Sequence, residues 1–252
     1  MSSLTAEVKD RKSPVAAWLS TTFPDFTEVQ KEFRDTAGTQ RIHPPAGVVA
    51  GTQGAASDFW RRIMIAPQPA IAVPLIGLLT GRAPCIPAGK ELLDELAAGV
   101  RPRKLPDGEV EWRMRPADFA ARGDEWWARV CYALALLVEL YRAATVDNSR
   151  LQRLDDRSRG ADLLELALDV EVTDLIAMRD LARQKLVPAL PAGPVSSGMT
   201  FDGSADLNAD ADLIAGGVLT DFKAARAGRR ARTAPARPRS AATRSTSCSA
   251  TR

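Results

Sequence analysis

Residues 199–224 read MTFDGSADLNADADLIAGGVLTDFKA, and the fold class turns on them. Upstream, apolar residues recur at helical spacing; here they alternate. Asp212-Leu213-Ile214-Ala215 and Val218-Leu219-Thr220-Asp221-Phe222-Lys223 are therefore expected as two strands, joined at Gly216-Gly217. A two-residue hairpin turn of this kind needs positive φ, which glycine adopts without steric cost. The turn sets a register. With Ala215 facing Val218, Ile214 faces Leu219, Leu213 faces Thr220 and Asp212 faces Asp221. Directly opposed residues have Cβ atoms about 5 Å apart. Lys223, two residues past Asp221, shares that face, opposite Asp210, while Leu213, Thr220 and Phe222 take the other.

Two opposed carboxylates repel unless a cation lies between them or one is protonated. The composition favours a cation: between Leu186 and Phe222 there are five Asp and no Lys or Arg. Hard oxygen donors suit Mg²⁺ or Mn²⁺, and a lysine beside them can orient an attacking water. Such a group of residues suits phosphodiester hydrolysis.

At these positions the chain resembles the PD-(D/E)XK nuclease superfamily, whose members are restriction-endonuclease-like. Asp212 matches the first acid, at the start of a strand, and Asp221-Phe222-Lys223 matches the (D/E)XK element on the next. FDGSADLNADADLI, residues 201–214, resembles the approach to the metal strand. The resemblance spans about residues 160–224. It implies a sheet flanked by helices, a divalent metal held by Asp212, Asp221 and the Phe222 carbonyl, and Lys223 positioning the attacking water. The catalytic residues would be Asp212, Asp221 and Lys223, the cofactor Mg²⁺ or Mn²⁺, and the partner a nucleic acid, with DNA the expected one. Some members add a glutamate from the helix before the sheet, for which Glu171 and Glu165 are both candidates. The competing view is a surface hairpin in which Asp210 and Lys223 form an exposed ion pair worth under about 1 kcal/mol. A calcium loop over Asp206, Asn208, Asp210 and Asp212 fails: Ala211 stands where it needs glycine and Gly217 where it needs glutamate.

Working outward, residues 1–160 read as a predominantly helical region without a chemical motif. Ser13-Pro14 has the form of an N-cap and first helical residue, opening a short helix through Val15–Leu19. Asp25 is placed to cap a helix bearing Phe26, Val29 and Phe33, and Ser57 one bearing Phe59, Trp60, Ile63 and Met64. Residues 37–54 are expected as loop, the Pro-rich run to Pro87 as irregular or broken helix, and Lys90–Ala98 as a helix ended by a left-handed Gly99. Residues 101–116 read as a polar connector, with Glu109–Met114 a short strand. The strongest helix is Asp124–Ala144 with Asp124 as N-cap. Its Trp126-Trp127 pair reads as core-facing rather than base-stacking. Residues 146–160 read as a linker, Asp162–Leu168 and Val172–Leu186 as helices, and 188–198 as a loop. The whole is expected to be α+β: helices, then a small, incomplete restriction-endonuclease-like sheet over 161–223 containing the hairpin.

Residues 224–252 hold nine Ala, eight Arg and no acid, and lack Leu, Ile, Val, Phe, Met, Tyr and Trp. Such a segment has no core-facing stripe and is expected to be disordered. It also stands where the nuclease fold needs more strand and helix. The expectation is an out-of-frame translation, hence a truncated domain with weak or absent activity; an Arg-rich arm gripping phosphates is the competing view. Without the tail, residues 1–223 carry 26 basic and 31 acidic residues, so the basic net charge is no sign of a nucleic-acid-binding body. Cys85, Cys131 and Cys248 are widely spaced and His43 is the sole histidine, which excludes a zinc site or a His-based triad. No secretory signal is visible, and the apolar stretch Ile63–Thr80 is broken by Pro67, Pro69 and Pro74. A cytoplasmic protein with no membrane partner is expected. Against the nuclease stands a non-enzymatic helical interaction protein with an acidic surface hairpin.

Overall fold

A computed structural model describes residues 4–36, 45–66, 71–80, 83–104, 108, 110–114, 120–143, 146–147, 149–200 and 210–220. The chain is α+β and mostly helical. Its helices are α1 (Leu4–Lys9), α2 (Pro14–Thr22), α3 (Phe26–Thr36), α4 (Ala50–Ile65), α5 (Ala72–Thr80), α6 (Ile86–Ala98), α7 (Asp124–Ala143), α8 (Gly160–Leu164) and α9 (Asp169–Leu181). The strands are β1 (Val100–Lys104), β2 (Val110–Met114), β3 (Val195–Thr200), β4 (Asp210–Ala215) and β5 (Val218–Thr220). β1 and β2 form a separate antiparallel pair; β3, β4 and β5 form an antiparallel sheet with β4 in the middle.

α7 is the axis of the core. From Trp127 to Val138 every residue but Arg129 is buried, so the helix is apolar all round, as a central helix must be. α4 and α5 flank it. α5 approaches so closely that a Cβ on Gly77 would lie 2.7 Å from the Leu137 carbonyl oxygen. α9 packs on α4 and α7, and α8 on α6 and α7. Trp126 and Trp127 meet edge to face at 4.8 Å, Trp127 fully buried and Trp126 half-buried against the core, so the pair is a core feature. The β3–β5 sheet reaches the helices through α4.

The hairpin forms in the expected register: Ala215 pairs with Val218, Ile214 with Leu219 and Leu213 with Thr220. Gly216 and Gly217 have φ of +53° and +81°. Gly216 is fixed twice over, since a Cβ there would also lie 2.8 Å from the Ala192 carbonyl oxygen. The turn is thus docked on the preceding segment, and the Gly216 N–H donates to the Pro194 carbonyl at 3.0 Å. Leu213 and Ala215 are wholly buried, while Asp212 and Ile214 are half-buried.

Several boundaries differ from the sequence expectations. α4 starts at Ala50, inside the expected loop 37–54, and Ser57 is a buried interior residue rather than a cap. Val49 precedes the helix without a side-chain cap, so packing against α7 and α9, not a local signal, holds its first turns. α5 is continuous helix within the Pro-rich run, with Pro74 in its first turn, where a missing N–H costs nothing. α6 opens at Ile86-Pro87 rather than Lys90. Gly99 has φ −79°, so it is not the expected left-handed cap. Val100–Lys104 is a strand, not connector, because it pairs along its full length with β2. Residues 150–153 form a 3-10 turn capped by the Ser149 hydroxyl, and Val195–Gly198 belong to β3 rather than to a loop. No helix among the described residues is long and apolar enough to cross a membrane. His43, the nuclease-motif residues Asp221, Phe222 and Lys223, and the whole of 224–252 lie outside the described residues.

Candidate functional site

β4 carries the one residue of the nuclease motif that is described, Asp212. It lies two positions from the sheet's entry at Asp210 and faces α4, through which the sheet meets the helices. Its carboxylate meets Arg62 of α4: the Arg62 Nη2 donates to Asp212 Oδ1 at 2.8 Å. The same Nη2 contacts the Oδ2 of Asp58, one helical turn earlier on α4. The three side chains are 8% (Arg62), 13% (Asp58) and 16% (Asp212) exposed, so their Coulomb coupling is only lightly screened by solvent. Arg62 also lies over the Phe59 ring at 5.9 Å, which keeps the guanidinium on this side of the helix. Neighbouring Arg61 is pulled below its ordinary pKa by burial, with Asp58 and Asp212 acting in the opposite sense.

Two carboxylates converging on one cationic nitrogen are a seat for positive charge. Asp58 and Asp212 are hard oxygen donors, the kind Mg²⁺ and Mn²⁺ take. In this structure the Arg62 nitrogen lies against both carboxylates. Among the described residues no group of three or more His, Cys, Asp or Glu is placed to hold a metal ion. The expected pairing of Asp212 with Asp221, and the roles of Phe222 and Lys223, fall outside the described residues.

The two glutamates the resemblance brought forward are occupied elsewhere. Glu171 is fully buried on α9. It accepts from Arg150 at 2.5 and 2.7 Å, from the Tyr132 hydroxyl at 3.1 Å and from the Leu168 N–H at 2.9 Å. Burial first, then the Glu171 charge, raises the Tyr132 hydroxyl above its ordinary pKa. This is a closed structural network rather than a ligand waiting for a metal. Glu165 is exposed, with Arg129 at 3.8 Å. The helix acid that shares Asp212's cluster is instead Asp58, which sequence reasoning missed. Its only sequence signal is the i, i+4 spacing to Arg62, a pattern any helix surface can show.

A second concavity lies between α4 and α7, lined by Val49, Thr52, Ala55, Val138, Glu139 and Arg142. At about 210 Å³ it is smaller than ligand sites usually are, and the Glu139 carboxylate already accepts from Thr52 and from Ser149. The Asp58–Arg62–Asp212 cluster is therefore the stronger candidate. No family model, no curated protein and no solved structure matches this chain.

Proposed function

We propose that the chain is a divalent-metal-dependent, nuclease-like protein acting on phosphodiester bonds, with Asp212 as a metal ligand. The observation that carries this is the β4–β5 hairpin. Its register is the one the Gly216-Gly217 turn predicts, and it carries a half-buried Asp212, the residue that matches the first acid of the PD-(D/E)XK resemblance. Asp212, Asp221 and the Phe222 carbonyl would hold Mg²⁺ or Mn²⁺. A divalent cation supplies polarisation of the phosphate and acidification of a water. Lys223 would position the attacking water, and Asp58 would supply the helix acid in place of Glu171 or Glu165. DNA is the proposed substrate class. The test is Mn²⁺ titration of the full chain beside Asp212→Asn, with plasmid and single-stranded DNA cleavage as the second readout. Binding that disappears in Asp212→Asn supports the proposal; no binding by the wild-type chain removes it.

A second reading, a non-enzymatic helical interaction protein, draws on a different observation. Asp212 already has a buried arginine as counter-ion, and Trp18, Phe23, Phe26 and Val29 of the N-terminal segment are each more than half exposed. Exposed apolar side chains close together in sequence suit a protein partner. Absence of metal binding together with retained folding would favour this reading.

A further inference from the structure

We propose that the hollow between α4 and α7 binds a small zwitterion with an aliphatic side chain, a free α-amino acid of the leucine type. The hollow shares no residue with the Asp58–Arg62–Asp212 cluster, and the proposal needs none of the metal reading. Facing helices normally fill the space between them with side chains. Here Gly51 and Ala55 on α4 and Ala135 on α7 are too small to do so, and a volume of about 210 Å³ stays open. Gly51 carries the argument furthest. A Cβ there would meet nothing within 4 Å, and its φ is not left-handed, so neither packing nor backbone conformation requires glycine. Glycine in a helix costs stability relative to residues with a side chain. What its missing side chain preserves is the open volume.

The charged lining decides the chemistry. Glu139 and Arg142 both line the hollow and, three positions apart on α7, are neighbours on the helix surface. Glu139 accepts from the Thr52 hydroxyl of α4 and from the Ser149 hydroxyl at 3.1 Å. Both donors are neutral, so they orient the carboxylate and leave its negative charge in place. Arg142 is exposed, with its guanidinium charge at the last turn of α7. A ligand of one sign is repelled by one of the two. A zwitterion satisfies both, with its ammonium toward Glu139 and its carboxylate toward Arg142. Val49, Ala55 and Val138 supply the apolar wall for an aliphatic side chain. The volume lies below the roughly 300–1,000 Å³ of drug- and cofactor-sized sites, and it suits a single amino acid.

The experiment is an NMR chemical-shift titration of the full chain with L-leucine, beside 4-methylpentanoate, which lacks the ammonium, and leucinamide, which lacks the carboxylate. The variants are Gly51→Leu, Glu139→Gln and Arg142→Gln, each checked for folding by circular dichroism. Expected are a Kd of about 0.1–1 mM for leucine, in keeping with so small a ligand, and about tenfold weaker binding of either analogue. Gly51→Leu should abolish binding while Tm stays equal or rises, since leucine is the better helix former. A glycine that only packs α4 on α7 would lower Tm instead. Each charge should answer to its own ligand group: Glu139→Gln should bind leucine and 4-methylpentanoate alike, and Arg142→Gln should bind leucine and leucinamide alike. If Gly51→Leu fails to fold, these two pairings carry the test. No saturable binding of leucine, or binding that persists in a folded Gly51→Leu, overturns the proposal. So does 4-methylpentanoate or leucinamide binding the wild-type chain as tightly as leucine.

Discussion

Replacing Glu171 by glutamine should cost the protein about 3 kcal/mol of stability. The side chain is fully buried and its two oxygens take four donors: two from Arg150, the Tyr132 hydroxyl and the Leu168 N–H. Its backbone carbonyl also accepts from Gln53 of α4 at 3.0 Å, and Gln53 bonds Asp174 at 2.9 Å. The network therefore joins α4, α7, α9 and the turn at Arg150. Glutamine keeps the shape, but it loses the charge and turns an N–H₂ group toward guanidinium donors. Breaking a buried pair at one partner costs about 3–5 kcal/mol. The Arg150 side chain is 16% exposed, so water relieves part of its stranded charge and the lower end applies, about 3 kcal/mol. For a chain of this size that lowers Tm by about 6–12 °C. Tyr132→Phe, which deletes only the longest of these side-chain bonds, should cost about 1.5 kcal/mol. The assay is urea unfolding followed by circular dichroism, with m-values compared to confirm an unchanged transition. A Glu171→Gln loss under about 1 kcal/mol would refute the reasoning, because it would mean water reaches the network in the folded chain. The double variant Glu171→Leu/Arg150→Met should recover much of the loss, since paired apolar groups leave no buried charge behind.

Three further outcomes are expected. Gly216→Ala should destabilise by about 2 kcal/mol through its left-handed φ and its clash with the Ala192 carbonyl, whereas Gly217→Asn, in open space, should cost a few tenths; urea midpoints of the two variants check this. Gly77→Ala should cost about 1–3 kcal/mol, because the methyl would press on the Leu137 carbonyl and force α5 off α7; a Tm equal to wild type would show that the helices can part freely. Arg179 donates to both oxygens of Asp124 at 2.7 Å and, chiefly through these bonds, holds that carboxyl below its ordinary pKa. A depressed carboxyl contributes stability above its unfolded pKa of about 3.9, and this is lost as pH falls through the lower folded value. Arg179→Gln should move the Asp124 carboxyl resonance midpoint up toward about 3.9, followed by NMR titration.

What the sequence made legible depended on how local each signal was. The hairpin register needed only nine residues, Asp212 to Thr220, and a turn with one steric solution, so it formed as expected. α7 was legible because its apolar residues cover every side over five turns, which no loop or strand can imitate. The misreadings share the opposite property. α4 opens with Ala-Gly-Thr-Gln-Gly, poor helix formers without a cap, and exists there because Thr52, Gln53 and Ala56 are buried against distant helices. β1, Val-Arg-Pro-Arg-Lys, shows no alternation to betray a strand and is one because β2 lies beside it. The candidate site divides the same way. Asp212 could be found from its own strand, but Arg62, which donates a hydrogen bond to it, stands 150 positions earlier. A motif names the groups that would hold a metal and is silent about the charge that occupies them meanwhile. A half-buried carboxylate must have such a charge if the fold is to stand without metal. That requirement, rather than any pattern in residues 199–224, makes positive charge from α4 necessary, and the fold supplies it at Arg62, with Arg61 also close enough to act on Asp212.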